Sequence, residues 1–153
     1  MGAYDVVKEA LSPLGTVEFT KVAMQPGMPQ GHGTLGPDNT PIFTLPGNPV
    51  SAYVSFEVFV RPALRRMLGH ASIYRPVVRA VLADPLQSPA GRRQFARGIL
   101  AVEDGRYVVR PAGGQRSHML GALAKANALV VIPEDATEVK AGTAVAVLRL
   151  DEV

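Results

Sequence analysis

Apolar positions near the start of the chain follow a helical spacing. Val6, Val7, Ala10, Leu11 and Leu14 recur three or four residues apart, which predicts a short helix over Asp5–Leu14. Pro13 and Gly15 end it. From Val17 to Met24 the residues are β-branched or aromatic often enough to predict a strand. Gln25–Gly36 then carries Pro26, Gly27, Pro29, Gly31 and Gly33, and this composition predicts an irregular loop rather than a regular element. Pro41–Leu45 is a short apolar run that reads as a buried strand. A long helical pattern spans Pro49–Leu68. Asn48 suits its N-cap, and Pro49 suits the first helical position, where a missing N–H costs nothing. Pro62 is expected to kink this helix, because the carbonyl of Val58 loses its donor. Arg61, Arg65 and Arg66 favour its C-terminal end, and Gly69 stops it.

The pattern changes after His70. Arg75–Leu82, Gln94–Val102, Tyr107–Arg110, Ala128–Ile132 and Ala144–Leu150 read as short strands. Turn residues separate them at Asp84-Pro85, Asp104-Gly105, Ala112-Gly113-Gly114, Glu134-Asp135 and Ala141-Gly142. Five short strands in so brief a stretch predict a small barrel or sandwich, with one helical turn at Ser117–Lys125. The unit boundary is placed near residues 70–75, giving an α/β unit over 1–72 and an all-β unit over 73–153. There are no internal repeats and no low-complexity segments.

Composition narrows the class. With 47% apolar and 19% charged residues over 153 positions, the chain is globular rather than disordered. No apolar run approaches the roughly 18 residues a membrane-spanning helix needs, and the first residues lack the pattern of a signal peptide. Without cysteine there is neither a disulfide framework nor a thiolate metal site, and the expectation is a cytoplasmic protein without a membrane partner. The net charge of +3 arises after residue 70, because residues 1–70 hold five basic and five acidic side chains. Eight arginines lie between Arg75 and Arg116, against Asp84, Glu103 and Asp104. Such a cluster suits phosphate or another oxyanion. It lacks the aromatic platform of a nucleic-acid surface, so no nucleic-acid partner is expected. The same arginines also fit solvated strand faces.

Three segments could carry chemistry. In Phe43-Thr-Leu-Pro-Gly-Asn-Pro-Val-Ser51 a glycine precedes a helix start, the arrangement of an anion cradle and equally of a plain, well-capped strand-to-helix connection. The loop Met24–Gly33 has the rigid backbone of a ligand loop. His32 within it is a candidate general base, or simply a solvated side chain. Gly91–Arg97 with Gly113–His118 gathers arginine, glutamine, serine and histidine suited to a tetrahedral oxyanion, or forms two solvent-facing strand ends. No set of metal ligands stands out by its spacing.

In this order the segments resemble one family. Leu45-Pro-Gly-Asn-Pro-Val-Ser-Ala52 followed by Ser55-Phe-Glu-Val-Phe-Val-Arg-Pro-Ala-Leu64 is similar to the signature of the molybdopterin molybdenumtransferases, the MoeA-like proteins that include the E domain of gephyrin. Val22–Gly33 resembles their preceding loop, and Gly91–Gly98, Gly114–His118 and Ala126–Pro133 resemble their C-terminal β domain. The resemblance implies that residues 1–72 are the C-terminal half of a molybdopterin-binding, MogA-like α/β domain with a parallel sheet, followed by a small β-barrel. It implies molybdenum cofactor biosynthesis: insertion of molybdate into adenylylated molybdopterin with release of AMP, with Mg²⁺, by a homodimer. It further implies that Asp5 matches an acidic residue of metal-assisted chemistry, both catalytic and metal-binding. Pro46, Gly47, Asn48, Pro49 and Ser51 match the pterin-phosphate loop. Arg97 and Ser117 match residues that hold molybdate, and Pro29 lines that pocket. Gln25 stands in the same loop where the family often has lysine, as does Met28, so either molybdate affinity is lower here or Arg92, Arg93 or Arg116 supplies the charge instead. The resemblance begins partway through a family motif, so a C-terminal fragment, inactive alone, is expected. A non-catalytic scaffold of the gephyrin type is the alternative.

Overall fold

The computed structural model describes residues 3–113 and 120–151. Helix α1 (Ala3–Leu11) runs into a 3₁₀ turn at Ser12–Leu14. Strands β1 (Glu18–Lys21), β3 (Pro29–Leu35) and β4 (Thr40–Thr44) form an antiparallel sheet in the order β1-β3-β4. Between β1 and β3 lies the short strand β2 (Met24–Gln25), which joins a different sheet. The helix after Asn48 comprises α2 (Pro49–Ser55), a π-helical turn (Phe56–Val60) and α3 (Arg61–Met67).

The rest is a barrel. Strands β5 (Val77–Leu82), β7 (Arg93–Glu103), β8 (Arg106–Pro111), β9 (Ala128–Ile132) and β11 (Ala144–Arg149) pair in the order β7-β8-β5-β11-β9. The pairing of β9 back onto β7 closes the circle. A two-stranded ladder of β6 (Leu86–Gln87) and β10 (Glu138–Val139) brings Leu86 and Val139 into the barrel core. Helix α4 (Leu120–Lys125) leads into β9. The core consists of the inward residues of these alternating strands: Leu82, Val109, Ala128, Val130, Ile132 and Val147 are fully buried. Each buried valine, leucine or isoleucine contributes roughly 1.5–3 kcal/mol. Closure leaves the barrel without a free edge.

The N-terminal residues depart from the sequence reading in three ways. The strand expected over Val17–Met24 divides: β1 stays in the three-stranded sheet, while β2 pairs in parallel with β7 of the barrel. A tight turn separates them, closed by Met24 N–H donating to Val22 O at 2.8 Å. The loop expected over Gln25–Gly36 is mostly the central strand β3. Its glycines allow this, because a Cβ at Gly31 would stand 2.3 Å from Thr44 Oγ1, and one at Gly33 would stand 2.4 Å from Thr16 O. The run expected as a buried strand is β4, an edge strand whose Phe43 is 39% exposed. Consequently every strand pairing inside residues 3–72 is antiparallel, and the parallel sheet expected of this unit is not made among the described residues.

The helix kink takes a definite form. Arg61 N–H donates to Phe56 O, a bond one residue longer than in an α-helix. The donor that closes the widened turn, Arg61, is the residue before Pro62, so the missing proline donor falls next to a break already present.

Candidate functional site

The outward face of the barrel at β7 and β9 packs against the helix. Leu129 and Val54 are fully buried and cluster with Met24, and Phe95, Val58 and Phe59 pack around them. Arg97 lies beside Leu129 in the β7–β9 register. Because strand side chains alternate, Arg97 shares this outward face with Phe95. It is only 1% exposed, and burial lowers its pKa from the ordinary arginine value. An arginine guanidinium nevertheless keeps its charge in a protein. A cation buried in this way requires polar or anionic company.

The loop that follows β2 runs alongside. Gln25 pairs in register with Gln94 of β7, three residues before Arg97. The Gln25–Pro26 peptide is cis, and Gly27 follows with φ of 96°. A Cβ at Gly27 would stand 2.6 Å from Ser55 Oγ, so only glycine fits there. Gln30 Nε2 donates to Gly27 O and to Ser55 Oγ, both at 2.6 Å. Val22 N–H donates to Met28 O at 2.7 Å, and Pro29 begins β3 opposite Lys21. Gln25 and Pro29 are both half-buried, at the two ends of this loop.

Asn48 caps the helix as expected. Its Oδ1 accepts from Val50 N–H at 3.1 Å and from Ser51 N–H at 3.5 Å, while its carbonyl accepts from Ala52 N–H at 2.8 Å. The side chain thus occupies the first-turn donors that an anion would use. Pro49 is the exposed first helical residue, Ser51 is buried, Pro46 is half-buried, and nothing lies within 4 Å of where a Cβ on Gly47 would stand. A ligand can approach the backbone at Gly47, and the cap is complete without one.

Gln25 pairs with Gln94 of β7, the strand that bears Arg97, and Pro29 begins β3 at the other end of the loop. Asp5 lies in α1, and its side chain is outside the described part of the structure. The 3₁₀ turn that follows α1 is fastened to the far end of β3, where Gly36 N–H donates to Leu14 O and Gly15 bridges to Leu35. That end is about 20 Å along the strand from Pro29. Ser117, Arg116 and His118 fall outside the described residues. His32 is exposed on β3 rather than in a loop, opposite Glu18 and Phe43. Among the described residues no three His, Asp or Glu side chains cluster as metal ligands.

Most arginines of the basic stretch have local partners. Arg93 meets Glu134 at 3.2 Å, Arg79 donates to Ala144 O at 3.0 Å, and Arg110 pairs with Glu103. Arg92 is half-buried and precedes β7, next to the backbone that joins Arg93 N–H to Ala23 O. The sequence reading missed one charged group altogether. Glu57 is buried in the π-helical turn and accepts from Arg75 Nε at 2.8 Å and Nη2 at 3.1 Å, with Arg61 Nε at 3.9 Å. The bond to Glu57 raises the pKa of Arg75, and burial followed by Glu57 raises that of Tyr53. A lone carboxylate within the apolar run Val54–Val60, four residues before an arginine, was the available signal.

Residues 1–66 match a family model described as a probable molybdopterin binding domain, and residues 79–150 match the MoeA C-terminal region, domain IV. The chain is 54% identical over 148 residues to molybdopterin molybdenumtransferase 2 of Mycobacterium tuberculosis, covering 93% of this chain and 36% of that protein. Against gephyrin of Dictyostelium discoideum it is 31% identical, over all of this chain and 24% of that protein. Among solved structures it is similar to a molybdopterin biosynthesis MoeA protein from Pyrococcus horikoshii, with a TM-score of 0.78 and 28% identity, over 99% of this chain and 36% of that one. The chain thus spans about a third of the length of the transferase it matches. With both regions matched and relatives of this identity spanning nearly all of it, the chain belongs to the MoeA-like molybdopterin molybdenumtransferase family.

Proposed function

We propose that this chain is the part of a molybdenum cofactor biosynthesis enzyme that holds molybdate and the pterin phosphate while molybdate is inserted into adenylylated molybdopterin and AMP is released. The observation that carries the reading is the buried Arg97 on the barrel face that packs against the Asn48-capped helix. An arginine held out of water interacts strongly with an oxyanion, and its fork presents two parallel donors. Gln25 and Pro29 stand at the two ends of the loop beside β7, and in this reading the Gln25 side chain supplies an amide donor to the oxyanion. Gly47 leaves the backbone open to a phosphate, with Pro46, Asn48, Pro49 and Ser51 shaping the turn. Ser117 completes the molybdate side in this reading.

In this reading the charge that two lysines would bring at Gln25 and Met28 falls to Arg97 and Arg92, because Arg93 is engaged by Glu134. Asp5 is the carboxylate that the family likeness associates with Mg²⁺. Among the described residues no three His, Asp or Glu side chains cluster as ligands for such an ion. In this reading the working protein is a homodimer in the cytoplasm, and its active cleft needs more chain than the third present here.

The test is a chimera in which this chain replaces its counterpart in the 54%-identical relative. Restored molybdoenzyme activity in a host lacking its own transferase is expected, and Arg97→Ala should abolish it. A folded chimera that restores nothing would sink the reading. A scaffold function of the gephyrin type is the second reading, favoured by the neutral Gln25 and Met28. It predicts that Arg97→Ala changes nothing in that assay.

A further inference from the structure

Gln30 and Ser55 are both buried, at 7% and 0% exposure, and neither belongs to the set of candidate ligands above. They meet under the loop that carries Gln25 and Pro29. One amide nitrogen, Gln30 Nε2, donates to Gly27 O and to Ser55 Oγ, each at 2.6 Å. Gly27 itself is buried and lies so close over Ser55 that no side chain fits between them. Ser55 is the last residue of α2, where the helix widens into the π-helical turn. The loop is therefore fastened to the helix from below at its midpoint. Its flanks are fastened separately, by Val22 N–H to Met28 O and by the pairing of Gln25 with Gln94.

We infer that Gln30 and Ser55 are positioning residues for the oxyanion side of the site: they hold the Gln25–Pro29 loop in one shape against the barrel strand that bears Arg97. The inference rests on the functional reading above. Its physical basis is that a buried hydrogen-bond network is stable only when complete. Removing the donor leaves Gly27 O and the Ser55 hydroxyl buried without a partner, and the loop lowers that cost by moving. Groups that bind an oxyanion lose affinity when displaced by even an ångström, so the effect reaches a ligand that neither residue touches.

Two near-isosteric substitutions test this. Ser55→Ala removes one oxygen, and Gln30→Glu removes the donating amide while keeping the shape. Hydrogen exchange of the Met24–Gln30 amides, measured on the chain, should accelerate at least tenfold in both variants, with the β7 and β9 amides unchanged. In the chimera, both should raise the KM for molybdate at least fivefold with kcat within twofold, whereas simple loss of folded enzyme lowers the apparent kcat and leaves KM alone. Unchanged exchange in both variants overturns the inference. So does faster exchange with an unchanged KM, which would leave the pair a structural role only. An inactive unsubstituted chimera would count against the functional reading alone, and the exchange rates would still decide whether the pair fixes the loop.

Discussion

The barrel and the N-terminal sheet differ in how they deal with their own edges and faces. In the barrel, β9 returns to β7, and six core side chains reach zero exposure. In the β1-β3-β4 sheet most side chains are exposed or half-buried, and apolar groups lie open: Phe43 and Leu45 at 39%, with Val6 at 55% and Leu14 at 57% on and after α1. Closure lets a short stretch build a complete core from its own strands. The open sheet instead orders a few residues, chiefly the loop between β2 and β3, and places them against the barrel. The first region holds the larger fully buried core, and in the proposed reading the second supplies the loop that lies beside the Arg97 strand.

The comparison can be broken most sharply at the joint between the two regions. Glu57→Ala leaves Arg75 and Arg61 without their shared carboxylate in a largely buried setting, and should cost about 3–5 kcal/mol in denaturant unfolding. A loss below about 1 kcal/mol would mean that the joint is held by apolar packing alone. Next, Leu82→Ala empties a fully buried barrel position and should cost about 2–5 kcal/mol, while Phe43→Ala on the open sheet should cost much less. Equal costs at the two positions would erase the contrast. Asn48→Ala removes the helix cap and should cost about 1 kcal/mol. Asn48→Asp, which keeps the acceptor, should not.

The smallest effect is a pH dependence. Hydrogen bonds from Arg110 hold the Glu103 carboxyl below its usual range, and those from Arg149 do the same for Asp151. A depressed folded pKa means that the stabilisation is fully present above the unfolded values, near 4.3 and 3.9. It is lost as pH falls through the lower folded values. Thermal unfolding should therefore show a slightly lower Tm at pH 3 than at pH 6, with Glu103→Gln narrowing the gap. The groups are exposed, so added salt should shrink it too. A gap indifferent to both changes would assign the acid sensitivity to other carboxylates.

Much of this was legible beforehand. The five barrel strands follow from alternating valine-rich runs between turn residues, because period-two burial and turn chemistry are local signals. The Asn48 cap and the break at Pro62 follow from the chemistry of single residues. The two-residue strands β6 and β10 left no period to read. The strand β3 was hidden because proline and glycine normally signal loops. Here the glycines are needed by neighbours, Phe19 and Thr44 at Gly31 and Thr16 at Gly33.

By itself the amino-acid sequence determined the barrel's strands and the capped helix, which depend on near neighbours along the chain. Only the tertiary structure decided that Met24–Gln25 leaves its own sheet to pair with β7, that Arg97 is buried on the outward face of the barrel, and that Gln30 and Ser55 meet across 25 residues of sequence. Those contacts depend on how the outward face of a closed barrel is covered. Side-chain burial on that face is set by partners distant in sequence, which no local pattern encodes.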